Sequence, residues 1–152
     1  MGNRILAALA ALISAFALTS SMAVTAAAAA SSDVKAAYLY PRADRFDTDL
    51  CPCTVPDDWD GTYFEHDAGG YAVKLYMFDG LELAGKVEFH PQDERVYVYD
   101  TLVDGVTITA EVAGKTYVPK NGYYDLEFAE GQYVMVKMIA SEGTRTEAHA
   151  TA

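Results

Sequence analysis

The chain is short of the side chains from which most chemical sites are built. It has three histidines, two cysteines and one tryptophan. A zinc site needs three or four ligands at close spacing, and His66, His90 and His149 stand far apart in the sequence. Basic residues are also scarce, 11 against 22 acids, for a formal charge of −11. That sign repels phosphate backbones and anionic membrane surfaces, so nucleic acid is excluded as a partner. No cofactor loop, nucleophile elbow or reactive-cysteine context is present, and carboxylates are too many for any pair to stand out. The chain is therefore expected to use no cofactor and to be no enzyme, with no catalytic residue singled out.

A long apolar span is missing too. Arg4 and the terminal amine precede an uncharged run, Ile5 to Leu18, which breaks at Thr19-Ser20-Ser21 and ends on Ala26 to Ala30. An anchor would want about 18 or more strongly apolar residues, and the second half here is alanine and hydroxyls. The pattern predicts a secretory signal peptide over 1–30, cut after Ala30, and a secreted, extracellular protein without a membrane span. Arg4 is the only charge in that leader, so the remaining 122 residues carry 22 acids and 10 bases, a formal −12.

Cys51 and Cys53 flank Pro52. Outside the cell a local Cys51–Cys53 disulfide is expected, with bridges between two copies or a redox or soft-metal dithiol as alternatives. The loop it closes is so short that it cannot be the main staple of the fold.

Beyond residue 60 the pattern has period two. Val73, Leu75 and Met77 share a face opposite Lys74; Leu81, Leu83, Val87 and Phe89 alternate with Glu82, Lys86 and Glu88. Asp79-Gly80 between them predicts a type I′ hairpin. Arg95–Thr101 runs to Asp104-Gly105, and Val106, Ile108, Ala110 and Val112 alternate beyond it. Gly114, Asn121-Gly122 and Ala129-Glu130-Gly131 mark further reversals. About seven to eight short strands at this spacing predict an all-β fold, an antiparallel β-sandwich or small barrel, over 62–140. Residues 31–61 read as an acidic extended arm, with one edge strand near Ala37–Tyr40. Residues 141–152 lack large apolar groups and read as a disordered tail.

An alanine-rich leader, a glycine-marked hairpin domain and the run Leu126-Glu127-Phe128-Ala129-Glu130-Gly131 before the alternating Tyr133–Ile139 give a further likeness. Over its last half the chain resembles small secreted proteins of filamentous actinobacteria. That resemblance implies a compact β-sandwich, export and no assigned activity. Many such proteins carry a longer-range disulfide, which this chain cannot form.

Two local patterns point to binding. Laid on a calcium loop, Asp58 and Asp60 take positions three and five, Gly61 the sharp turn and Asp67 position twelve. Position one is Pro56 and no helix flanks the loop, so the competing reading is a solvated acidic turn. The second pattern is an excess of tyrosine, eleven in all. If Val96 and Val98 face the core, Tyr97 and Tyr99 form an outward strip suited to protein partners or sugar rings. The alternative is that both faces are partly covered and tyrosine merely suits strands. The function expected is a secreted acidic all-β binding or interaction module for an extracellular protein or glycan. The alternatives are an inhibitor of an extracellular hydrolase that presents the loop Cys51 to Trp59, and an enzyme of unknown reaction.

Overall fold

The structure is a computed structural model in which residues 38–152 are described; the predicted leader and the first seven residues of the arm lie outside them. Eleven strands and one turn of 3-10 helix follow in order: β1 Leu39–Asp47, the helical turn Thr48–Leu50, β2 Cys53–Val55, β3 Thr62–Phe64, β4 Tyr71–Asp79, β5 Glu82–His90, β6 Arg95–Asp100, β7 Ile108–Val112, β8 Lys115–Tyr117, β9 Tyr124–Asp125, β10 Tyr133–Ala140 and β11 Arg145–Thr151. Nine of the strands make one antiparallel sheet in the order β8-β7-β10-β11-β4-β5-β6-β9, with β1 on β4. The sheet curls almost to closure as a barrel. Among the described residues, no helix is long and apolar enough to cross a membrane.

Alternation places the core as the sequence predicts. Val73, Leu75, Met77, Val87, Phe89, Val96 and Val98 line the interior with Ile108, Ala110, Val112, Val134, Val136 and Met138. Each fully buried large side chain of this kind stabilises the fold by about 1.5–3 kcal/mol before entropy is counted. The near-closure runs between the β6–β9 and β8–β7 ends of the sheet. There the Asp100 carboxylate accepts from the Ile108 N–H at 3.3 Å, and the Tyr117 and Tyr124 rings meet at 4.8 Å. Gly85 permits this approach: a Cβ there would stand 2.6 Å from the Tyr99 carbonyl and 2.7 Å from Ile108. Opposite it the ladder jumps from Met77↔Gly85 to Phe78↔Leu83, so Ala84 is an extra bulged residue.

The structure departs from the expectations at four places. The β4–β5 hairpin is closed by Gly80-Leu81, because Asp79 pairs with Glu82. Only Gly80 has positive φ (62°), the type II′ pattern instead of the type I′ expected from Asp79-Gly80. Asp104-Gly105 closes no hairpin, since β7 pairs with β10 and β8. The acidic arm holds more strand than the edge strand expected near Ala37–Tyr40: β1 pairs along its whole length with β4, from Leu39↔Asp79 to Asp47↔Tyr71. The disordered tail is the plainest correction. Residues 145–151 form β11, paired with β10 from Tyr133↔Thr151 to Ile139↔Arg145 and bridged to β4 at Thr151↔Tyr71. Its inward groups are small, and Ala150 is fully buried.

Candidate functional site

The outer face of β4, β5 and β6 should meet solvent, since Lys74, Lys86, Glu88, Tyr97 and Tyr99 alternate there with the core residues. Instead the β2–β3 hairpin lies across it as a flap, and β4 and β5 are buried on both faces. A small second core, Phe64, Cys51 and Ala72 with Phe46, Cys53 and Val55, fixes one end of the flap. Cys51 and Cys53 form the local disulfide at its start.

Beneath the flap the two lysines are fully buried. Buried ammonium groups are tolerated only when paired and hydrogen-bonded, and these are. Lys74 Nζ donates to Asp57 Oδ2 at 2.6 Å and to the Val55 carbonyl at 3.2 Å. Lys86 Nζ reaches Asp57 Oδ2 at 2.8 Å, Glu88 Oε1 at 2.9 Å, the Gly61 carbonyl at 2.9 Å, and Asp60. Asp57 Oδ1 accepts the backbone N–H groups of Trp59, Asp60 and Gly61, which fixes the turn that carries these acids. Glu88 is closed off by Thr62 Oγ1 and by His90 Nε2, the latter at 3.2 Å.

Burial pushes the Asp57 carboxyl up, but hydrogen bonds from both lysines and from the turn outweigh it and hold the group well below the carboxylate range. Burial likewise acts to raise Glu88, while His90, Lys86 and Thr62 bring it down on balance. For Lys86, burial works to lower the ammonium, and the Glu88 charge with the bonds to Asp57, Asp60 and Glu88 raises it above the ordinary lysine value. All three groups are thus held charged at neutral pH, each by the others.

The predicted calcium set does not assemble. Among the described residues, the carboxylates that lie within 4.8 Å of one another are Asp57, Asp60 and Glu88, and the Lys86 ammonium bonds to all three. Asp58 is exposed. Asp67 sits at the far side of the flap, beside Thr48 and Gly70. Of the three candidates only Asp60 joins the cluster. Asp57, Lys74, Lys86 and Glu88 went unrecognised in the sequence. The signal for them is a lone lysine set between apolar neighbours in each of two adjoining strands, Val73-Lys74-Leu75 and Gly85-Lys86-Val87, downstream of an acidic run.

Beside this network, with Glu88 common to both, lies an open cleft of about 300 Å³. Tyr97 and Tyr99 form one wall, Gly61, Thr62 and Tyr63 of the flap the other, and Glu88 and His90 the floor. The two tyrosine rings are parallel within 4°, with centroids 6.2 Å apart. The His90 ring is wedged between Phe64 and Tyr97, at 4.6 and 4.8 Å. Lys86 Nζ faces the Tyr99 ring at 4.9 Å. Burial pushes the Tyr99 hydroxyl up to about 12, reinforced by Glu88 and Asp60. It also raises Tyr97. Both phenols are therefore neutral hydrogen-bonding groups at physiological pH. The strip predicted at Tyr97 and Tyr99 exists, with Val96 and Val98 buried behind it, but it is half-covered instead of freely exposed.

No protein-family model matches the chain, and no curated protein or solved structure matches it at a significant level. The geometry alone must carry the functional reading.

Proposed function

We propose that the chain is exported and acts outside the cell as an acidic all-β binding module, with the tyrosine-walled cleft as the seat of its ligand. One observation carries this reading: a pair of parallel tyrosines forms the wall of a concave site whose floor and far wall are fixed by a closed charge network. Pre-organised aromatic walls with few placed polar groups are the usual make-up of a ligand seat. The module is read as non-catalytic, because the converging acids and bases, Asp57, Glu88, Lys74 and Lys86, are buried against one another. Export is supported by the leader and by the Cys51–Cys53 disulfide, since disulfides persist in oxidising compartments. The test is recovery of the protein from the medium of a host that expresses the whole chain, followed by N-terminal sequencing. A start near Ser31 is expected, and an intact Met1 on the recovered chain overturns the export. A pull-down from the same medium and cell surface with Tyr97→Ser bait should lose what wild-type bait retains.

A second reading, inhibition of an extracellular hydrolase, is favoured by the turn at 57–61. Asp57 locks it through three backbone N–H groups and two ammonium groups, and Leu50 and Trp59 stand exposed on either side of the disulfide. Assay of secreted proteases against wild type and Trp59→Ala decides it. No inhibition at micromolar protein rejects this reading and leaves the binding module untouched.

A further inference from the structure

We infer that the cleft takes a neutral sugar ring of an extracellular glycan; this rests on the binding reading above. Four features select that chemistry. Size comes first. A cleft of about 300 Å³ lies at the lower end of ligand pockets, whereas a protein partner typically needs about 800 Å² of surface from each side. The seat is made for one or two rings.

Charge comes second. Glu88 has its oxygens engaged by Lys86, Thr62 and His90, and the Arg95 guanidinium is paired with Asp93 at 2.9 Å. The inner charges thus have counter-charges, and what is left open is the exposed Glu65 carboxylate and the unpartnered Arg95 Nε–H, one acceptor and one donor of the kind hydroxyl groups bond. An anion is further opposed by the formal net charge of −11.

The walls are the third feature. Tyr97, Tyr99 and the exposed Tyr63 offer apolar ring surface with a hydroxyl tip. A pyranose has the matching character, with C–H groups on its faces and hydroxyls at its rim. The burial-raised Tyr97 and Tyr99 phenols stay protonated and can both donate to and accept from such hydroxyls. The fourth feature is the rim, where Gln92, Glu65 and Arg95 mix donors and acceptors, as a polyhydroxyl ligand requires and an apolar one does not.

The test uses protein purified from the medium of a host that expresses the full chain. Binding is read on an array of neutral and charged oligosaccharides and then by calorimetry with the neutral hexasaccharides retained. Wild type should retain neutral glycans, and Tyr97→Ser and Tyr99→Ser should each weaken binding at least about tenfold, as loss of an aromatic anchor does. Leu81→Ser, at an exposed hairpin tip outside the cleft, should bind as wild type. Tyr63→Ser on the exposed flap edge supplies a variant whose folding is not in question, and it too should weaken binding. Retention of no neutral glycan by folded wild type at millimolar sugar overturns the inference, as does binding indifferent to all three tyrosine variants. If a protein partner is instead captured and is lost with Tyr97→Ser, the glycan is rejected and the module stands. If the captured partner ignores the tyrosines, both are rejected.

Discussion

Lys86→Met keeps the length of the buried stem and deletes the charge that ties the flap to the barrel. The ammonium has four acceptors, Asp57, Asp60, Glu88 and the Gly61 carbonyl, and of these Asp57 and Glu88 have side chains only 4% exposed. Removal of one partner from a buried ionic cluster costs about 3–5 kcal/mol, because the others are left charged and unsolvated. At this chain length that corresponds to a fall of roughly 10–20 °C in melting temperature. The pH dependence gives a sharper reading. In wild type the depressed Asp57 and Glu88 carboxyls contribute stability that is complete above their unfolded values, about 4. That contribution is lost as pH falls through that value towards the folded ones. Without Lys86, its charge and hydrogen bonds no longer lower Glu88 and Asp57, while His90 and Thr62 still act on Glu88 and Lys74 on Asp57, so both folded values rise relative to wild type. The variant then loses less stability than wild type as pH falls through about 4. Urea unfolding followed by far-UV circular dichroism at pH 7 and about pH 3.5, below the unfolded carboxyl values, measures both effects. A loss below about 1 kcal/mol at pH 7, or parallel pH slopes for the two proteins, would refute a buried clamp and place Lys86 in water.

Three further outcomes are expected. Tyr97→Ser and Tyr99→Ser should each cost about 1–2 kcal/mol, more than the ~0.5 of an exposed site and less than the ~3–5 of Phe89→Ala in the core; chemical denaturation orders the three. Deletion of residues 141–152 should abolish cooperative thermal unfolding, since β11 joins β10 to β4; a sharp native transition in the truncated chain would return that segment to a dispensable tail. Reduction of Cys51–Cys53 should lower stability by under about 2 kcal/mol, because the closed loop spans three residues. Intact mass of the secreted protein should show the bridge within one chain.

The inner half of each strand was legible because one rule governs it: apolar groups two apart face the core, as Val73-Leu75-Met77 and Val96-Val98 do. What the outer half meets is set by a distant segment, and no local pattern states that a flap from 52–66 will cover Lys74 and Lys86. The same acids that suggested calcium are consumed as partners for those lysines, so the correct inference was a cation site whose cation is a side chain. The strand β11 escaped notice because its inward positions are alanines: Ala150 is buried where a larger side chain is usually the sign of a strand. Its place is fixed by backbone pairing with β10 and by the small space left over. The strip at Tyr97 and Tyr99 was predicted in position and orientation; partial cover was the alternative to free exposure, and it is what the structure has, but no pattern pointed to the flap that supplies it.

The incomplete closure of the barrel has a consequence for behaviour in concentrated solution. Unpaired strand edges are templates for polymerisation, and natural sheets blunt them with short strands, lysine and proline. The two ends of this sheet are β8, three residues long and opened by exposed Lys115, and β9, two residues long. Lys120 stands over the Tyr124 ring at 3.8 Å beside that gap. The long strand β1, which pairs on β4 alone, carries Pro41 with Arg42, Asp44 and Arg45. Each of these three rims is thus either too brief to pair or spoiled by charge and an absent N–H. A barrel left ajar in this manner offers short or charged ends where fibre growth would begin.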